Sequence, residues 1–513
     1  MQNMNKEFNE DSTKKEKYII AIDQGTTSSR ALLVDVNARI VMSAQRELTQ
    51  IYPKAGWVEH DPMEIVSSQL GVLTELFVQS RVDATQISSI GISNQRETVI
   101  VWNRHTGTPV YNAIVWQCRR TSDMIDILCE DAKLQEYIIN TTGLIPDAYF
   151  SASKIKWILD NVEGAREQAS AGDLIFGTVD SWLLWNLTGG SVHATDYTNA
   201  SRTMLFDIRN LNWDKKLLNL FDIPETMLPK VFPSAYDYGF TSHPGVAEGL
   251  QISSLVGDQQ AALFGQGATE AGMAKNTYGT GCFLLAHTGN VPVRSKNRLL
   301  TTIAASEPGT ALNPAQINYA VEGSVFIGGA VVQWLRDGLG IINDAAEVEA
   351  LARSVEDSQG VVVVPAFTGL GAPHWNSDVT GAIFGITRGV NSAHIARAAL
   401  HSIALQVNDL LESIAHDTGS AIHLLKVDGG ASKNNLLMQF QSDISCVNLI
   451  RPRNTEATAL GAAFLAGLQS GLWSDMMHIN SLINDGEEFS PKMGYDLREY
   501  HLKQWNQALN RVK

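Results

Sequence analysis

The chain has 513 residues, of which 44% are hydrophobic and 18% are charged, and its formal net charge is −15. This length is too great for a single hydrophobic core, so two or three globular domains are expected. The negative charge argues against a nucleic-acid partner, because neutralising phosphates requires clustered Lys and Arg. No stretch approaches the roughly 20 apolar residues of a membrane helix.

The cysteines and the polar first residues favour a cytoplasmic protein. The four cysteines show no CxxC spacing, so they are interpreted as reduced thiols. Residues 1–17 are polar and lack the apolar core of a signal peptide, and they are predicted to form a disordered tail.

The first half of the chain is predicted to follow the order β-β-β-α-β. Strands are predicted at 17–23, 29–36, 39–48, 87–95 and 98–103. A helix over 62–80 has Asp61 as its N-cap, Pro62 at its first position and Glu64 to complete a capping box. The Trp-rich segment 100–250 is less regular and is predicted to form insertions around the substrate.

The second half repeats this order. Strands are predicted within 274–288, 318–326, 360–367 and 423–430, and helices over 327–339, 391–417, 455–468 and from Asn434. A strand–turn–strand element occurs at Asp23 and again at Gly279, as in a duplicated domain. The small, flexible residues of 265–274 indicate the boundary, which gives domains 18–267 and 268–513.

Three glycine-rich turns follow short apolar runs, at 22–30, 276–283 and 427–435. A strand that ends in Gly with Thr, Ser or Asn offers backbone N–H groups and hydroxyls to a phosphate. The spread of these turns along the chain indicates two half-domains that grip one nucleotide. Because the chain has no Gly-Lys pair, it cannot use the GxxxxGK[ST] P-loop.

Carboxylates follow apolar strands at two of the junctions. Asp23 precedes the first turn, where it suits a Mg²⁺ site beside the phosphate, and the alternative is an Asx turn that caps a hairpin. Thr26 and Thr27 are either hydroxyl donors to phosphate or residues of high β propensity. Asp258 follows a strand that ends at Gly257, and it is either a general base for a substrate hydroxyl or an N-cap.

Arg96 and Glu97 are adjacent charges between two apolar strands. They are either exposed at a strand end or form a clamp in which Arg donates to substrate hydroxyls and Glu accepts from them. The 12 histidines show no metal-ligand spacing, so they are interpreted as surface or core residues.

Together these motifs resemble the FGGY carbohydrate kinase family. The resemblance covers residues 18 to about 472, and its most specific stretches are IDQGTTSSRA, NQRETVIVW, NAIVWQCRRT, GDQQAALFGQ and NTYGTGCF. The NQRET and WQCRRT stretches are similar to those of the members that act on glycerol. The implied fold class is α/β, with two actin-like (ribonuclease-H-like) domains and with ATP and substrate in the cleft between them.

The resemblance implies ATP-dependent phosphorylation of glycerol to sn-glycerol 3-phosphate. The residues implied to bind the hydroxyls of glycerol are Arg96, Glu97, Tyr149, Asp258 and Gln259. The side chains implied to pack on its carbon chain are Trp116 and Phe283. The residues implied to hold the ATP phosphates are Thr26, Thr27, Ser28, Arg30 and Thr280, and those implied to surround adenosine are Gln333, Gly430 and Asn434. Asp258 would be the general base, and Asp23 and Asp258 would place Mg²⁺.

The implied partners are glycerol and ATP, with assembly into a homo-oligomer, a dimer or tetramer. The competing functions are an FGGY kinase for another polyol or a ketose, and an actin- or Hsp70-like ATPase whose nucleotide state drives conformation. Asp258 and the Arg96–Glu97 pair favour a kinase, because a conformational ATPase needs no acceptor-alcohol site. Some bacterial relatives bind fructose 1,6-bisphosphate through a Gly-Gly-Thr-Arg loop. The corresponding segment 242–251 has Glu248 and no Lys or Arg, so weak or absent inhibition is predicted.

Overall fold

The computed structural model describes residues 16–245, 247–309, 315–376, 378–483 and 486–513. The predicted tail 1–17 therefore lies almost wholly outside the described residues. Two large sheets dominate the described chain. Their strands are β1 (Tyr18–Gln24), β2 (Ser28–Asp35), β3 (Ile40–Glu47), β4 (Ile87–Asn94), β5 (Ile252–Gly257), β6 (Met273–Tyr278), β7 (Cys282–Gly289), β8 (Leu300–Ile303), β9 (Tyr319–Val325), β10 (Leu424–Asp428), β11 (Asn448–Pro452) and β12 (Gly486–Phe489).

The two sheets share one topology. The first has the order β5-β4-β1-β2-β3, in which β1, β2 and β3 are antiparallel neighbours and β4 and β5 run parallel to β1. The second has the order β8-β9-β7-β6-β10-β11-β12, in which β6, β7 and β9 are antiparallel and β10 and β11 run parallel to β6. The duplicated strand–turn–strand pattern predicted from the sequence is confirmed, and each sheet has the ribonuclease-H-like arrangement.

Shorter strands pair outside these sheets. They are Glu59–His60 with Ala113–Ile114, Ile100–Asn103 with Leu174–Gly177, Ala194–Asp196 with Lys230–Phe232, Phe206–Asp207 with Asn212–Trp213, and Val362–Val364 with Ala382–Phe384. The segment predicted to be irregular therefore has short ribbons of its own, and it also has helices. Its buried aromatic and aliphatic side chains, such as Phe150, Phe176 and Phe221, form a separate hydrophobic cluster beside the first sheet.

The helices surround both sheets. In chain order they are α1 (Pro62–Ser80), α2 (Ser122–Leu128), α3 (Ala132–Thr142), α4 (Ser151–Asn161), α5 (Ala165–Ala171), α6 (Val179–Leu187), α7 (Tyr197–Ala200), α8 (Lys215–Phe221), α9 (Asp258–Gly265), α10 (Ala330–Asp337), α11 (Glu347–Arg353), α12 (Ser392–Thr418), α13 (Asn435–Ser445), α14 (Ala457–Gln469), α15 (Met476–Ile483) and α16 (Tyr495–Val512). Over the described ranges, no helix has the length and apolar character needed to cross a bilayer.

Helix α1 begins and ends where its sequence predicts, but one of its predicted capping contacts is absent. The Asp61 side chain accepts the Met63 N–H at 2.8 Å, and Pro62 occupies the first turn, where its missing N–H costs nothing. The predicted capping box is wrong. The Glu64 carboxylate instead accepts both the backbone N–H (3.1 Å) and the hydroxyl (2.8 Å) of Thr49, because the chain leaving β3 offers it two donors.

Helix α14 lies late in the chain but packs on the first sheet. Its backbone carbonyls at Ala462 and Ala466 accept the hydroxyls of Ser254 (2.9 Å) and Ser89 (3.1 Å) from β5 and β4. The approach is close enough to require glycine, because a Cβ at Gly91 would lie 2.2 Å from the Ala462 oxygen. Helix α14 also crosses α9, where a Cβ at Gly461 would lie 1.9 Å from the Ala261 oxygen. The helix that begins at Asp258 is therefore fixed between β5 and α14.

Candidate active site

The first glycine-rich turn joins β1 to β2. It is closed by a hydrogen bond from the Gly25 N–H to the Ser28 oxygen at 3.0 Å, and the Thr27 oxygen accepts the Leu48 N–H at 2.9 Å. The Thr26 hydroxyl accepts the indole N–H of Trp116 at 2.9 Å. Two of these contacts use carbonyls of the turn and one uses the Thr26 hydroxyl, while Thr27 is exposed. The predicted phosphate turn therefore exists as a preformed loop with one side chain tied to the Trp116 ring.

Asp23 and Arg30 flank this turn on paired strands. The Asp23 carboxylate is 3.6 Å from the Arg30 guanidinium and accepts the Ser93 hydroxyl at 3.0 Å. Arg30 also contacts the Glu456 carboxylate at the start of α14. Burial raises the pKa of Asp23 to about 6, against the opposing effects of Arg30 and Ser93, and the nearby carboxylate of Asp258 raises it further. The alternative of an Asx turn fails for Asp23, because its side chain bonds to Ser93 and Arg30 rather than to its own turn.

Arg96 and Glu97 are not exposed. Their side chains are 3% and 1% accessible, so the alternative of a surface pair at a strand end is wrong. The alternative of a clamp for substrate hydroxyls stays a prediction. The Arg96 Nε lies 3.2 Å from the Asp258 carboxylate, and its two terminal nitrogens contact the Glu322 carboxylate at 2.8 and 3.2 Å. Arg96 also donates to the Gln260 side chain at 3.0 Å. Burial is possible because opposite charges surround the guanidinium.

Glu97 has a left-handed backbone with φ of 61°. This conformation is uncommon for a residue with a Cβ. It is maintained because hydrogen bonds hold both the backbone carbonyl and the side-chain carboxylate of Glu97. The carbonyl accepts the Ser151 hydroxyl at 3.2 Å and the Lys154 ammonium at 3.4 Å, and the carboxylate accepts Arg202 Nε at 2.5 Å. Burial raises the pKa of Glu97, and Arg202 and Arg96 oppose that shift.

Asp258 is the first residue of α9, and Gly257 is the N-cap, so the alternative of Asp258 as an N-cap is wrong. Its carboxylate accepts the Gln259 N–H at 2.7 Å and faces Arg96, while its side chain keeps 31% of its exposure. The Gln259 side chain contacts the ammonium of Lys275 from the second sheet. Asp258 thus presents a partly open carboxylate at the N-terminus of a helix, where negative charge is favoured.

Aromatic rings border this cluster. Trp116 and Tyr149 meet edge to face with centroids 5.6 Å apart. Burial and the adjacent Glu97 raise the pKa of the Tyr149 phenol, so it stays a hydrogen-bond donor at neutral pH. Phe283 lies on β7 in register with Thr277 and Ser324. It therefore projects from the same face of the second sheet as Lys275 and Glu322, two residues further along β6 and β9.

A separate cavity of about 590 Å³ lies at the second sheet, between the turn after β6 and the loop before α13. Four residues predicted to hold ATP meet in its wall: Thr280, Gln333, Gly430 and Asn434. An added Cβ at Gly430 would meet nothing within 4 Å, so this glycine borders open space. The preceding Gly429 has φ of 88°, and a Cβ there would lie 2.6 Å from the Tyr278 oxygen. Asn434 also caps α13 by accepting the Leu437 N–H at 2.9 Å.

The models of the FGGY family of carbohydrate kinases match nearly the whole chain. The N-terminal domain model matches residues 18–265 and the C-terminal domain model matches residues 274–470. The chain belongs to the FGGY family of carbohydrate kinases.

Relatives within the family are similar over almost their full lengths. A glycerol kinase of Clostridium botulinum is 57% identical over 498 residues, which are 97% of this chain and 99% of that protein. A glycerol kinase of Haemophilus influenzae is 56% identical over 496 residues, 96% of this chain and 97% of that protein. The crystal structure of Plasmodium falciparum glycerol kinase with ADP has a TM-score of 0.92 at 37% identity, covering 97% of this chain and 98% of the other.

A second solved structure shares the fold at lower sequence identity. The crystal structure of gluconate kinase from Lactobacillus acidophilus has a TM-score of 0.86 at 21% identity, covering 96% of this chain and 97% of the other. The predicted fold class of two actin-like α/β domains is confirmed by the family models, by the structure of the Plasmodium protein and by the shared topology of the two sheets.

The sequence did not single out several charged residues that contact the predicted site. They are Lys154, Arg202, Lys275 and Glu322, and each is fully or nearly fully buried. Glu322 had a detectable signal, because a lone carboxylate within the apolar strand YAVEGSV is costly to bury without a counter-ion. Arg202, in a stretch of small polar residues, had none. The identity of each partner depends on the tertiary fold.

The donors around Asp23 suit the metal that FGGY kinases use with ATP. Among the described residues, no group of three or more His, Cys, Asp or Glu side chains is arranged to hold a metal. Mg²⁺ beside a nucleotide usually needs only one or two carboxylates, because phosphates and water complete its six oxygen ligands. Burial is the main cause of the raised pKa of Asp23, and the carboxylate of Asp258 adds a smaller contribution. This oxygen-only pair beside a phosphate turn fits Mg²⁺.

Proposed function

We propose that this FGGY kinase transfers the γ-phosphoryl group of ATP to a primary hydroxyl of glycerol, giving sn-glycerol 3-phosphate and ADP. The observation that carries the proposal is the partly exposed carboxylate of Asp258, 3.2 Å from the buried Arg96 and close enough to Asp23 to raise its pKa. A conformational ATPase needs no such arrangement of acceptor-alcohol groups beside its phosphate turn. The high identity to glycerol kinases over nearly the full chain supports glycerol as the acceptor.

In the proposed complex, Arg96 and Gln259 donate to the hydroxyls of glycerol, while Glu97 and Asp258 accept from them. The Tyr149 phenol completes the polar side. The carbon edge of the triol packs against two aromatic side chains, Trp116 and Phe283. This division suits glycerol, because a small site needs a few placed polar groups to fix orientation and apolar walls to exclude water. Each of these residues lies within the cluster formed where the two sheets meet, or on the sheet face that borders it.

The reaction needs proton removal and charge stabilisation. The proposed base, Asp258, takes the proton of the reacting hydroxyl as the oxygen attacks the γ-phosphorus, and the bond from phosphorus to the β–γ bridging oxygen breaks to release ADP. Thr26, Thr27, Ser28, Arg30 and Thr280 are proposed to hold the phosphates. Asp23 and Asp258 would hold Mg²⁺, which when bound neutralises phosphate charge. Gln333, Gly430 and Asn434 are proposed to surround adenosine.

The test is ADP formation measured with glycerol, propane-1,2-diol, D-xylulose and D-gluconate, each at saturating Mg-ATP. A site built to bond a hydroxyl rejects analogues that lack it by up to ~10⁴–10⁵-fold, so glycerol should have by far the highest kcat/KM. A higher kcat/KM with xylulose or gluconate would overturn the choice of glycerol and retain the kinase. ADP formation that ignores every acceptor would favour the conformational ATPase.

Cellular location and oligomeric assembly are also part of the proposal. The four cysteines are unpaired thiols, which fits the proposed cytoplasmic location, where thiols stay reduced and ATP is present. Assembly into a dimer or tetramer stays a prediction, and light scattering of the purified chain tests it.

A further inference from the structure

Four buried side chains form a closed ring of alternating charge beside the proposed glycerol site. Arg96 contacts Glu322 at 2.8 and 3.2 Å, and Glu322 contacts Arg202 at 3.2 Å. Arg202 contacts Glu97 at 2.5 Å, and Glu97 lies 3.8 Å from Arg96. No side chain of the ring is more than 3% accessible. The ring is neutral, because two guanidinium groups balance two carboxylates.

The ring joins parts of the fold that are distant in the chain. Arg96 and Glu97 follow β4 of the first sheet, and Glu322 lies on β9 of the second sheet. Lys275 of β6 makes a similar crossing, since its ammonium contacts Gln259 and the Thr277 hydroxyl (3.1 Å). The face of the second sheet therefore supplies charged contacts to two residues that are proposed to bind glycerol.

The contacts of Arg96 determine which nitrogen of its guanidinium faces the carboxylate of Asp258, the proposed base. Three of its four terminal N–H groups donate to Glu322 and Gln260, and its Nε lies 3.2 Å from Asp258, so one terminal N–H stays available for a glycerol hydroxyl. A guanidinium released from Glu322 would be free to make a two-pronged contact with the Asp258 carboxylate, because planar bidentate pairing is the strongest geometry for that pair. Such a contact would occupy the carboxylate oxygens that a substrate hydroxyl needs.

Stability alone does not account for this ring. Buried ion pairs often contribute little relative to well-packed apolar residues, because desolvation offsets their attraction. Burial alone would raise the pKa of Glu322, but Arg202 and Arg96 outweigh it and lower the pKa to about 2. Glu322 is therefore ionised at neutral pH, where it holds both guanidinium groups.

We propose that Glu322 and Arg202 are positioning residues for the acceptor alcohol. They hold Arg96 and Glu97 in the geometry that binds glycerol, and they keep Arg96 from capturing the carboxylate of Asp258. The proposal rests on the proposed function, and it adds that the glycerol site is completed by a side chain of the second sheet.

The test uses the full chain and three variants measured beside the wild type. The double variant Arg202→Gln/Glu322→Gln removes one positive and one negative charge, so the remaining pair stays neutral. Glu322→Gln alone leaves an excess positive charge, and Arg202→Lys keeps the charge but loses the guanidinium geometry. The control is Glu59→Gln/Arg120→Gln, a buried ion pair between side chains that are 2% and 0% accessible. Thermal unfolding, kcat and the KM values for glycerol and for ATP are measured.

The double variant is expected to lose at least ~10-fold in kcat/KM for glycerol, with KM for ATP within about twofold of wild type. Arg202→Lys should fall between it and the wild type. The control should unfold at a lower temperature and keep the wild-type KM for glycerol.

Two results would overturn the proposal. A double variant with wild-type kcat/KM and KM for glycerol would show that the ring only supports the fold, and the Arg202→Lys variant serves for this comparison if the double variant does not fold. Equal losses in the control variant would lead to the same conclusion. The wild type is assayed with glycerol before the variants. A wild type that does not phosphorylate glycerol would overturn the proposed function itself, and not only the role of the ring.

Discussion

Replacing Asp258 by Asn removes the proposed proton acceptor and one of the two carboxylates proposed to hold Mg²⁺, while it keeps the shape of the side chain. The Asn Oδ1 can still accept the Gln259 N–H, which Asp258 accepts at 2.7 Å, and can still face Arg96 Nε, now at 3.2 Å. Arg96 keeps Glu322 and Glu97 as counter-ions, so the ring of buried charges stays neutral. Because the Asp258 side chain is 31% exposed, the change should cost about 1 kcal/mol or less of folding stability.

The effect on catalysis should be far larger. Loss of a general base typically costs ~10²–10⁴-fold in rate, which is about 3–5 kcal/mol in the activation free energy. The variant should therefore lose at least ~100-fold in kcat, while the dissociation constant for glycerol, measured by calorimetry, changes less than about tenfold. Asp173→Asn is the matched control, since that carboxylate pairs only with His105 at 3.1 Å on an exposed part of the surface. An Asp258→Asn variant with kcat within threefold of wild type would refute the assignment of the base.

Three further changes have defined outcomes. Trp116→Phe removes the 2.9 Å hydrogen bond to Thr26 that links the proposed glycerol wall to the phosphate turn, and a net loss of about 1 kcal/mol should raise KM for glycerol and for ATP about fivefold each in steady-state assays. Burial and the nearby Asp196 raise the pKa of Asp180 to about 7. Between about pH 4 and pH 7, Asp180 is therefore protonated in the folded state and ionised in the unfolded state. Because the folded state binds the extra proton, the unfolding free energy of the wild type falls as pH rises through this window. In denaturant titrations Asp180→Asn should gain stability relative to wild type by up to about 4 kcal/mol between pH 4 and pH 8, and a constant difference would contradict this pKa. Millimolar fructose 1,6-bisphosphate should inhibit weakly or not at all at low ionic strength, because the segment 242–251 has Glu248 and no Lys or Arg; strong inhibition that survives Glu248→Ala would place the inhibitor elsewhere.

The sequence was informative wherever one segment determines its own structure. The strand–turn–strand element at β1 and β2 follows from an apolar run that ends in Gly-Thr-Thr, and its counterpart at β6 and β7 follows from the same rule. Helix α1 could be predicted to the residue, because Asp61 and Pro62 both specify a helix start. The capping box failed because Glu64 found donors on Thr49, fifteen residues earlier, and helix-local rules contain no such partner.

Burial of charge could not be predicted from local sequence. Arg96 and Glu97 look like surface residues because their counter-ions are remote: Glu322 lies 226 residues after Arg96, and Arg202 lies 105 residues after Glu97. The desolvation of each charge is acceptable only when all four members of the ring are in place. A rule based on spacing along the chain therefore favours the wrong alternative, and the resemblance to the FGGY family was the source that favoured the clamp.

The two kinds of contact in the site indicate how phosphate and alcohol recognition are divided. The phosphate turns repeat in both sheets and consist of backbone and hydroxyl groups, a chemistry that each half can provide alone. The proposed alcohol site is not repeated, and it depends on charges contributed by both sheets, with Glu322 and Lys275 from the second contacting Arg96 and Gln259 near the first. We therefore propose that a duplicated nucleotide grip is compatible with many acceptors, whereas acceptor choice depends on the few buried charges where the sheets meet.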